Sequence, residues 1–396
     1  MDLNVLCLAT YYKGERFMRQ AHAEGARVYL LTVAKLLERA WPRDILADVF
    51  AMRDGADLGE TTRTVSYLAR DIRFDRIVAL DDFDVETAAS LREHLRIPGM
   101  GDTTARHFRD KLAMRVKARE AGIPVPDFVH VLNYDAVRDF MRRVPAPWMN
   151  KPRSEASAAG ITKVHTEEQL WQLTEKQGDR QSYFLLEEFL PGDVYHVDSI
   201  VTEREIVFSE THRCGAPPFD VAHGGGIFSS STVVRGSPED LELRDLNART
   251  LSCMNLVRGV SHVEFIKSKK DGKLYMLECA ARVGGAHISD MVEASTGLNL
   301  WAEWAKIEIG GGKVPYVLPA ARREYGGLIV TLTKDERPDT SALDAPEVVY
   351  RSPEKHHVGI VLRSSSPERI QTLLAEYIDR VRPMVATLPA LAKPTN

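Results

Sequence analysis

The chain has 396 residues, enough for two or three structural units, and 44% of them are hydrophobic, which is ample for buried cores. Its 52 Lys and Arg residues nearly balance its 56 Asp and Glu residues, giving a formal net charge of -4. Since this charge creates no positive field that would recruit nucleic acid or an anionic membrane, we expect neither partner and favour small molecules. The four cysteines form no CxxC pair, which argues against a disulfide framework or a zinc knuckle and favours a reducing cytoplasm.

Secretion and membrane insertion are not expected either. The N-terminus shows no basic stretch ahead of its first apolar run, and that run is only as long as a strand. No later stretch approaches the roughly 20 apolar residues that a membrane-spanning helix needs.

The first hundred residues alternate between segments typical of strands and of helices. Residues 3–9 and 26–32 are apolar runs separated by a polar helical stretch, and residues 75–80 and 86–95 repeat the pattern. This alternation predicts an α/β unit with a parallel sheet. A nicotinamide-binding domain is disfavoured, because the turn after its first strand should be glycine-rich and here it holds only Gly14.

A helix is predicted over residues 104–121. It carries Phe108, Leu112 and Val116 at i, i+4 spacing, and Lys111 lies beside this apolar stripe. The helix is expected to end before the proline-rich sequence that follows.

A loop of small residues is predicted after Lys151. It covers residues 154–160 and leads into a strand at residues 161–164. Small residues let backbone N–H groups approach an anion closely, although the GxxxxGK[ST] pattern of a P-loop is absent.

Two further strands are predicted over residues 182–192 and 194–201. The first ends in two carboxylates and a turn. In the second, the two-residue period places Val194, His196 and Asp198 on one face.

The segment from Arg213 to Gly226 is rich in glycine and proline, and we interpret it as a functional or mobile loop without regular structure. The remaining predicted elements are strands near residues 327–332, 348–350 and 358–362, an amphipathic helix at about 367–382, and a frayed tail from residue 388.

Glu264 and Glu278 stand at the two ends of a predicted β-hairpin. If residues 270–272 form a three-residue loop with a left-handed glycine, Lys269 pairs with Lys273 and the two glutamates face each other at roughly 5 Å between Cβ atoms. Two like charges at that distance need a cation between them, most simply Mg²⁺ carrying a nucleotide phosphate. A two-residue turn would instead place the carboxylates on opposite faces, and the hairpin alone leaves both alternatives open.

These segments contain a series of short motifs that are individually weak but have a characteristic order. They are residues 77–99, Lys111 ahead of Gly-Ile-Pro-Val-Pro, Lys151-Pro-Arg, residues 186–192, His262-Val-Glu264 and residues 277–285.

Taken together, the motifs resemble the ATP-grasp superfamily of carboxylate-activating ligases, and within it the carboxylate-amine and L-amino acid ligases. The resemblance covers nearly the whole chain. It implies an α/β (α+β) ATP-grasp fold with a Rossmann-like pre-ATP-grasp domain at residues 1–101, a two-lobed nucleotide-binding domain at 102–315 and a C-terminal α+β lid region at 316–396. The small lobe is expected at about residues 115–190.

The resemblance also implies ATP and one or two Mg²⁺ ions as cofactors. Lys111 and Lys151 would bracket the triphosphate, and Glu264 and Glu278 would hold the metal. Arg282, with Lys151, would be catalytic, because a guanidinium suits the transferring phosphoryl group. The implied nucleotide-binding residues are Lys111, Lys151, Ser154, Ser157, Gly160, Glu187, Glu188, Phe189, Leu190, His196 and Asp198.

Substrate recognition is assigned to a separate group of residues. The candidates are Arg213, His223, Gly225, His262 and Gly285. For His262, orientation of a metal carboxylate or an ordinary buried histidine remain alternatives, and for Arg282 an ion pair with Glu278 is the alternative.

Two positions depart from the family pattern. Ala280 stands where an asparagine often completes one metal site, so one ion could be lost, bound through water or completed elsewhere. Val194 stands where a glutamate commonly holds ribose, a contact that could pass to His196, Asp198 or Glu187.

The predicted function is ATP-dependent ligation of a small-molecule carboxylate to an amine through an acyl-phosphate, with ADP and phosphate released, and a homodimer is the assembly considered. The alternatives are a nucleotide-binding protein that acts as a sensor or assembly partner, which Ala280 motivates, and a ligase with a non-amine acceptor.

Overall fold

Three β-sheets with helices packed on them make up the chain in this computed structural model, which describes residues 3–156, 158–224 and 226–386. The side chains of residues 222–224 lie outside that description, as does the predicted frayed tail from residue 388.

The first sheet has four parallel strands in the order β3-β2-β1-β4. It confirms the predicted α/β unit, although β3 was not anticipated. The strands are β1 (Asn4–Ala9), β2 (Arg27–Val33), β3 (Leu46–Met52) and β4 (Arg76–Ala79), and the helices are α1 (Glu15–Ala23), α2 (Leu58–Leu68) and α3 (Val85–Leu95).

The predicted helix over residues 104–121 is in fact two helices, α4 (Asp102–Arg106) and α5 (Lys111–Glu120). The break arises because the Asp110 side chain caps α5, accepting hydrogen bonds from the N–H groups of its first turn. The buried face of α5 also differs from the expected stripe: it holds Lys111 and Arg115, whereas Val116 is 41% exposed.

The second sheet is antiparallel, with the order β5-β8-β6-β7, and we refer to this sheet and its two helices as the small lobe. Its core includes Phe140, Trp148 and Leu186. The elements are β5 (Phe128–His130), α6 (Tyr134–Arg143), β6 (Trp148–Pro152), β7 (Thr162–Val164), α7 (Glu167–Gln177) and β8 (Phe184–Glu188).

The third sheet is antiparallel and has eight strands in the order β13-β12-β9-β10-β11-β14-β16-β15. Because β14 to β16 belong to it, the predicted C-terminal region from residue 316 continues this sheet. The strands are β9 (Gly192–Thr202), β10 (Glu205–Cys214), β11 (Phe228–Thr232), β12 (Gly259–Ser268), β13 (Leu274–Ala280), β14 (Tyr325–Leu332), β15 (Val348–Arg351) and β16 (His357–Ser364). The helices are α8 (Pro218–Gly224), α9 (Pro238–Met254), α10 (Ile288–Thr296), α11 (Leu300–Gly310) and α12 (Pro367–Val381).

The glycine- and proline-rich segment after Arg213 is more regular than predicted. Strand β10 continues to Cys214, and the short helix α8 follows. This helix starts with proline, which is tolerated there because the first helical N–H needs no intrahelical partner.

The hairpin of β12 and β13 has a longer loop than predicted. The N–H of Ser268 donates to the carbonyl of Lys273 at 2.9 Å, so the loop comprises residues 269–272. The expected pairing of Lys269 with Lys273 is therefore wrong, although Gly272 has the expected positive φ of 72°. Continued along regular strands, this loop would turn the two glutamates to opposite faces.

A β-bulge at Leu277 restores the predicted pairing. Phe265 pairs with Met276, but Glu264 pairs with Glu278, so Leu277 is an extra residue on β13. Arg115 of α5 donates a hydrogen bond to the carbonyl of Leu277. The prediction that the two glutamates face each other is confirmed, and the bulge rather than the turn is the cause.

The N-terminal sheet is anchored on the third sheet through helices α1 and α11. The rings of Phe17 and Trp304 meet edge to face at 4.9 Å between centroids. Arg16 forms an ion pair with Glu293 at 2.6 Å. Among the described residues, no helix combines the length and the apolar character needed to cross a membrane.

Candidate active site

A cleft of about 690 Å³ lies between the small lobe, the strands β9, β12 and β13, and helix α8. Its volume is in the usual range for small-molecule sites. Eleven of the predicted site residues line it: Lys111, Lys151, Glu187, Glu188, Phe189, Leu190, His262, Glu264, Glu278, Arg282 and Gly285.

One end of the cleft is the connection between β8 and β9. Phe189 and Leu190 lie on its wall, and Lys163 stacks over the Phe189 ring, 3.6 Å from its centroid. Glu188 forms an ion pair with Lys270 at 2.9 Å. This end therefore offers apolar surface, a backbone segment and the accessible carboxylates of Glu188 and Asp193.

Lys151 is held by a buried ion-pair network. Its ammonium contacts Glu187, whose other oxygen accepts from Arg115 Nε at 2.7 Å. Burial alone would raise the pKa of Glu187, but the charges of Arg115 and Lys151 bring it below its ordinary value. For Lys151, burial lowers the pKa below its ordinary value, although the negative charge of Glu187 acts to raise it. Because the Glu187 carboxylate is engaged on both sides, it orients Lys151 and is not free to hold ribose.

Lys111 connects the loop after β6 to the glutamate pair. Its Nζ donates to the backbone carbonyl of Glu155 at 2.7 Å and to Glu278 at 3.1 Å. The lysine is only 5% exposed, so it presents a desolvated charge at the cleft wall. Lys111 thus links the loop after β6 to one of the two predicted metal carboxylates.

Glu264 and Glu278 project from adjacent strands into the same cleft. Their side chains are 29% and 23% exposed, respectively. Burial alone would raise the pKa of Glu264, but its bond to His262 brings the pKa below the ordinary value. Two opposed carboxylates suit a hard divalent cation.

Behind Glu264 lies a buried network centred on Asp198. One oxygen of Asp198 lies 2.9 Å from His262 Nδ1 and the other lies 2.7 Å from His196 Nδ1 and 3.3 Å from His212 Nδ1. Burial would raise the pKa of Asp198, but the neighbouring imidazoles hold it well below its ordinary value. Burial would lower the pKa of His262, yet Asp198 raises it to about 9, whereas burial lowers that of His212 to about 4.

Arg282 is held by the N-terminal domain. Its Nε donates to Asp82, which is 3% exposed, and its Nη1 donates to the carbonyl of Val283 at 3.0 Å. Burial would raise the pKa of Asp82, but Arg282 and Arg109 lower it. The expected alternative pairing of Arg282 with Glu278 is replaced by this contact across domains.

Several predicted site residues lie away from the cleft. Arg213 is on the surface, paired with Asp193 at 2.9 Å. His196 and Asp198 are buried, bonded to each other and absent from the cleft wall, so the structure gives no support to the ribose contact predicted for them. The other predicted residues without a place on the cleft wall are Ser154, whose carbonyl accepts from Arg109, and Gly160, which packs on Pro152. Ser157, Gly225 and the side chain of His223 lie outside the described residues.

The sequence reasoning missed Arg115 and Asp82. Arg115 stands four residues after Lys111, so the two share a helix face, and this spacing was a usable signal. Asp82 belongs to an acidic run directly after the buried strand β4. Carboxyl ends of parallel strands are the usual location of sites in α/β sheets, which could have identified it.

Two kinds of ligase are similar to this chain in sequence. The L-arginine-specific L-amino acid ligase of Bacillus subtilis is 25% identical over 243 residues, covering 60% of this chain and 58% of that protein. The D-alanine–D-alanine ligase of Delftia acidovorans is 28% identical over 202 residues, covering 48% of this chain and 61% of that protein. The chain therefore spans less than two thirds of the length of these relatives. A scan against protein-family models finds no match.

Solved structures share the fold along almost the entire chain. The L-amino acid ligase from Bacillus licheniformis has a TM-score of 0.74 at 17% identity, covering 97% of this chain and 98% of that chain. The carboxyaminoimidazole ribonucleotide synthase from Aspergillus clavatus, complexed with ATP, has a TM-score of 0.75 at 15% identity, covering 97% and 99%. These likenesses confirm the fold class predicted from the sequence.

Proposed function

We propose that this chain, a member of the ATP-grasp superfamily, is an ATP-dependent ligase that joins a carboxylate to an amine. The observation that carries the proposal is the convergence of Lys111, Lys151 and Arg282 on the cleft that also contains the opposed Glu264 and Glu278. Three cations and a pair of metal-binding carboxylates match the charge of a nucleotide triphosphate with its cation.

The residues present fit a nucleotide with Mg²⁺. The apolar hinge wall at Phe189 and Leu190 suits a base, and two carboxylates with solvent access, Glu188 and Asp193, lie on the cleft wall on either side of it. Lys111 and Lys151 suit the phosphates, and Glu264 and Glu278 would hold the ion. When bound, Mg²⁺ neutralises charge on the phosphate oxygens.

The proposed reaction has two steps. The substrate carboxylate attacks the γ-phosphorus of ATP, so that ADP leaves and an acyl-phosphate forms. The amine then attacks the acyl carbon, loses a proton, and displaces phosphate to give an amide. Arg282, fixed by Asp82, lies where a guanidinium could stabilise charge on the transferring phosphoryl group. The loop over Lys111 would exclude water, which protects an acyl-phosphate from hydrolysis.

Amino acids are the proposed carboxylate and amine substrates. The support is the similarity to an L-amino acid ligase and to D-alanine–D-alanine ligases. We place the reaction in the cytoplasm, in keeping with the four free cysteines.

Trapping of the activated carboxylate tests the proposal. Purified protein with ATP, Mg²⁺ and hydroxylamine is screened against amino acids, singly and in pairs, for hydroxamate and phosphate. We expect hydroxamate with the correct carboxylate alone and amide with the correct pair. Lys151→Met should lose both products, whereas Lys176→Met, on the exposed side of α7, should retain them. ATP hydrolysis without hydroxamate from any active substrate would contradict the proposal.

A further inference from the structure

His262 lies on the same strand face as Glu264, two residues away, and both line the cleft. The His262 Nε2 atom lies 3.5 Å from Glu264 Oε1. Two neighbouring donor atoms on an octahedral ion with bonds of about 2.1 Å are about 3.0 Å apart, so these two atoms need to approach by only about half an ångström to share one ion.

The other ring nitrogen of His262 is fixed. Nδ1 lies 2.9 Å from Asp198 Oδ1, and Asp198 is fully buried. Gly284 covers this pair so closely that a Cβ atom there would lie 2.9 Å from Asp198 Oδ1 and 3.1 Å from His262 Nδ1. The ring is therefore held with Nε2 toward Glu264. Metal-binding histidines characteristically have their second nitrogen bonded to a carboxylate in this way.

The hairpin leaves space for such a role. Ala280 pairs directly with His262 across the two strands and lines the cleft beside Glu278. Its methyl group offers no ligand atom, so the two glutamates alone supply protein ligands from this part of β12 and β13 unless His262 joins them.

We propose that His262 is the third protein ligand of the divalent cation held by Glu264 and Glu278, with Asp198 as a positioning residue and with the ion displacing the proton from His262 Nε2. This role rests on the proposed function, since the cation accompanies the nucleotide. Glu278 is bonded to Lys111 at 3.1 Å, so it would have to exchange that lysine for the ion, and a bound phosphate would give the lysine another partner. Because imidazole is a softer ligand than carboxylate, the site should favour Mn²⁺ over Mg²⁺ more than an all-oxygen site would.

A deeper cation site is the competing arrangement. Among the described residues, His196, Asp198 and His262 have ligand atoms within 4.8 Å of one another. However, the contacts of Asp198 with the two histidines, 2.7 and 2.9 Å, are hydrogen-bond distances, and His196 Nε2 is engaged with Ser230 at 2.8 Å. Asp198 and His196 therefore orient His262.

Pulsed electron paramagnetic resonance of the full-length protein with Mn²⁺ and ADP tests this assignment. The wild type should show nitrogen coupling from a directly bound imidazole. His262→Asn should remove the coupling and weaken Mn²⁺ binding about tenfold or more, as loss of metal-site support typically does. The control is His287→Asn, because His287 does not line the cleft and is bonded to Asp290; this variant should leave the coupling unchanged. Circular dichroism checks that each variant is folded.

A double variant tests the assignment independently of the signal lost in His262→Asn alone. Ala280→Asn introduced beside His262→Asn should recover Mn²⁺ affinity through an amide oxygen without restoring the imidazole signal. The assignment is wrong if Mn²⁺ binds to the wild type with ADP but shows no nitrogen coupling. It is also wrong if the coupling persists in His262→Asn. If the wild type binds no Mn²⁺ with the nucleotide, the proposed function itself fails.

Discussion

Glu187 illustrates how one buried carboxylate can position a lysine of the cleft. It is 1% exposed and lies between Arg115 and Lys151, so neither cation can move without leaving a charge uncompensated. Arg115 also holds the bulge carbonyl of Leu277. A single guanidinium thus links the small lobe to the glutamate hairpin.

Replacement of Arg115 should destabilise the protein strongly. Arg115→Met leaves Glu187 and the Leu277 carbonyl without their donor, at an expected cost of about 3–5 kcal/mol in the free energy of unfolding. Arg119→Met is the matched control: it lies one turn further along α5, its side chain is 50% exposed, and loss of its pair with Asp127 should cost less than about 1 kcal/mol. Urea unfolding of both variants provides the comparison, and equal losses would contradict the argument.

Removal of the partner of Arg282 should slow the reaction more than it weakens binding. Asp82→Asn frees the guanidinium to reorient, and we expect kcat to fall about 10- to 100-fold, since small misplacements of a reacting geometry have costs of this size. The affinity for ADP should change little. Steady-state kinetics and calorimetry measure the two effects.

The Asp82 prediction has an internal check. In a double-mutant cycle, Arg282→Lys should add little to the loss caused by Asp82→Asn if the two residues act as a unit. Asp48→Asn, on the exposed face of β3, should have no effect on kcat. Fully additive losses would show that Asp82 acts independently of Arg282.

The hairpin of β12 and β13 shows that the pairing of two carboxylates can depend on one extra residue. Its four-residue loop and its bulge each shift the side-chain alternation by one, and the two shifts cancel between Glu264 and Glu278. The sequence predicted the correct pair from an incorrect turn.

Deletion of Leu277 should keep the two glutamates opposed. Without Leu277, Glu278 follows Met276 directly and regular pairing places it opposite Glu264, so Mn²⁺ affinity in the presence of ADP should stay within a few-fold of the wild type. Deletion of Lys270, which shortens the exposed loop without altering the strands, is the control and should have the same small effect. A loss of about tenfold or more in the Leu277 deletion alone would show that the bulge itself, and not only the pairing of the glutamates, supports the site.

The acidic segment after β4 should make stability depend on pH. Burial raises the pKa of Asp84 from 3.8 to about 7, and its side chain accepts from the N–H of Thr10 at 2.9 Å. Between these values the folded state keeps a proton that the unfolded state has lost, so this group's contribution to the free energy of unfolding falls as pH rises, by about 1.4 kcal/mol per pH unit at most.

Asp84→Asn removes this titration while it retains an acceptor for Thr10. The variant should gain stability relative to the wild type as pH rises from 4 to 8, by an amount on the order of a few kcal/mol. Above about pH 7 the difference should become constant. Thermal unfolding across this range measures it, and a difference that does not vary with pH would contradict the assigned pKa.

Across the molecule, the second and third sheets line the cleft, and the loop after β6 forms part of its wall. Lys111 holds this loop through the carbonyl of Glu155. Phosphates that bind Lys111 and the loop's N–H groups would order both.

Hydrogen exchange should detect this ordering. ADP with Mg²⁺ should slow exchange of amides in residues 153–156 and 158–164, whereas β1 and β2 should exchange as in the free protein. Protection spread evenly over all sheets would instead indicate global stabilisation by mass action.

Much of the candidate site could be predicted because its signals are local. The order of Lys111, Lys151, the hinge, Glu264 with Glu278, and Arg282 follows the chain, and alternation within a strand assigns faces without knowledge of the fold. The regular elements with clear periodicity were likewise recognised, including the parallel N-terminal sheet and the strands after residue 316.

Only the tertiary structure decided which charges meet. Arg282 and Asp82 are 200 residues apart, and Arg115 and Glu187 are 72 apart, so no local pattern pairs them. The sequence also offered no sign that His196 and Asp198 are buried, because alternation assigns a residue to a strand face without showing what packs against that face. The sequence by itself determined the chemistry available to the cleft, because residue types and short spacings are local properties. Packing decided which of those groups reach the ligand and which hold the others in place, because that depends on contacts between distant segments.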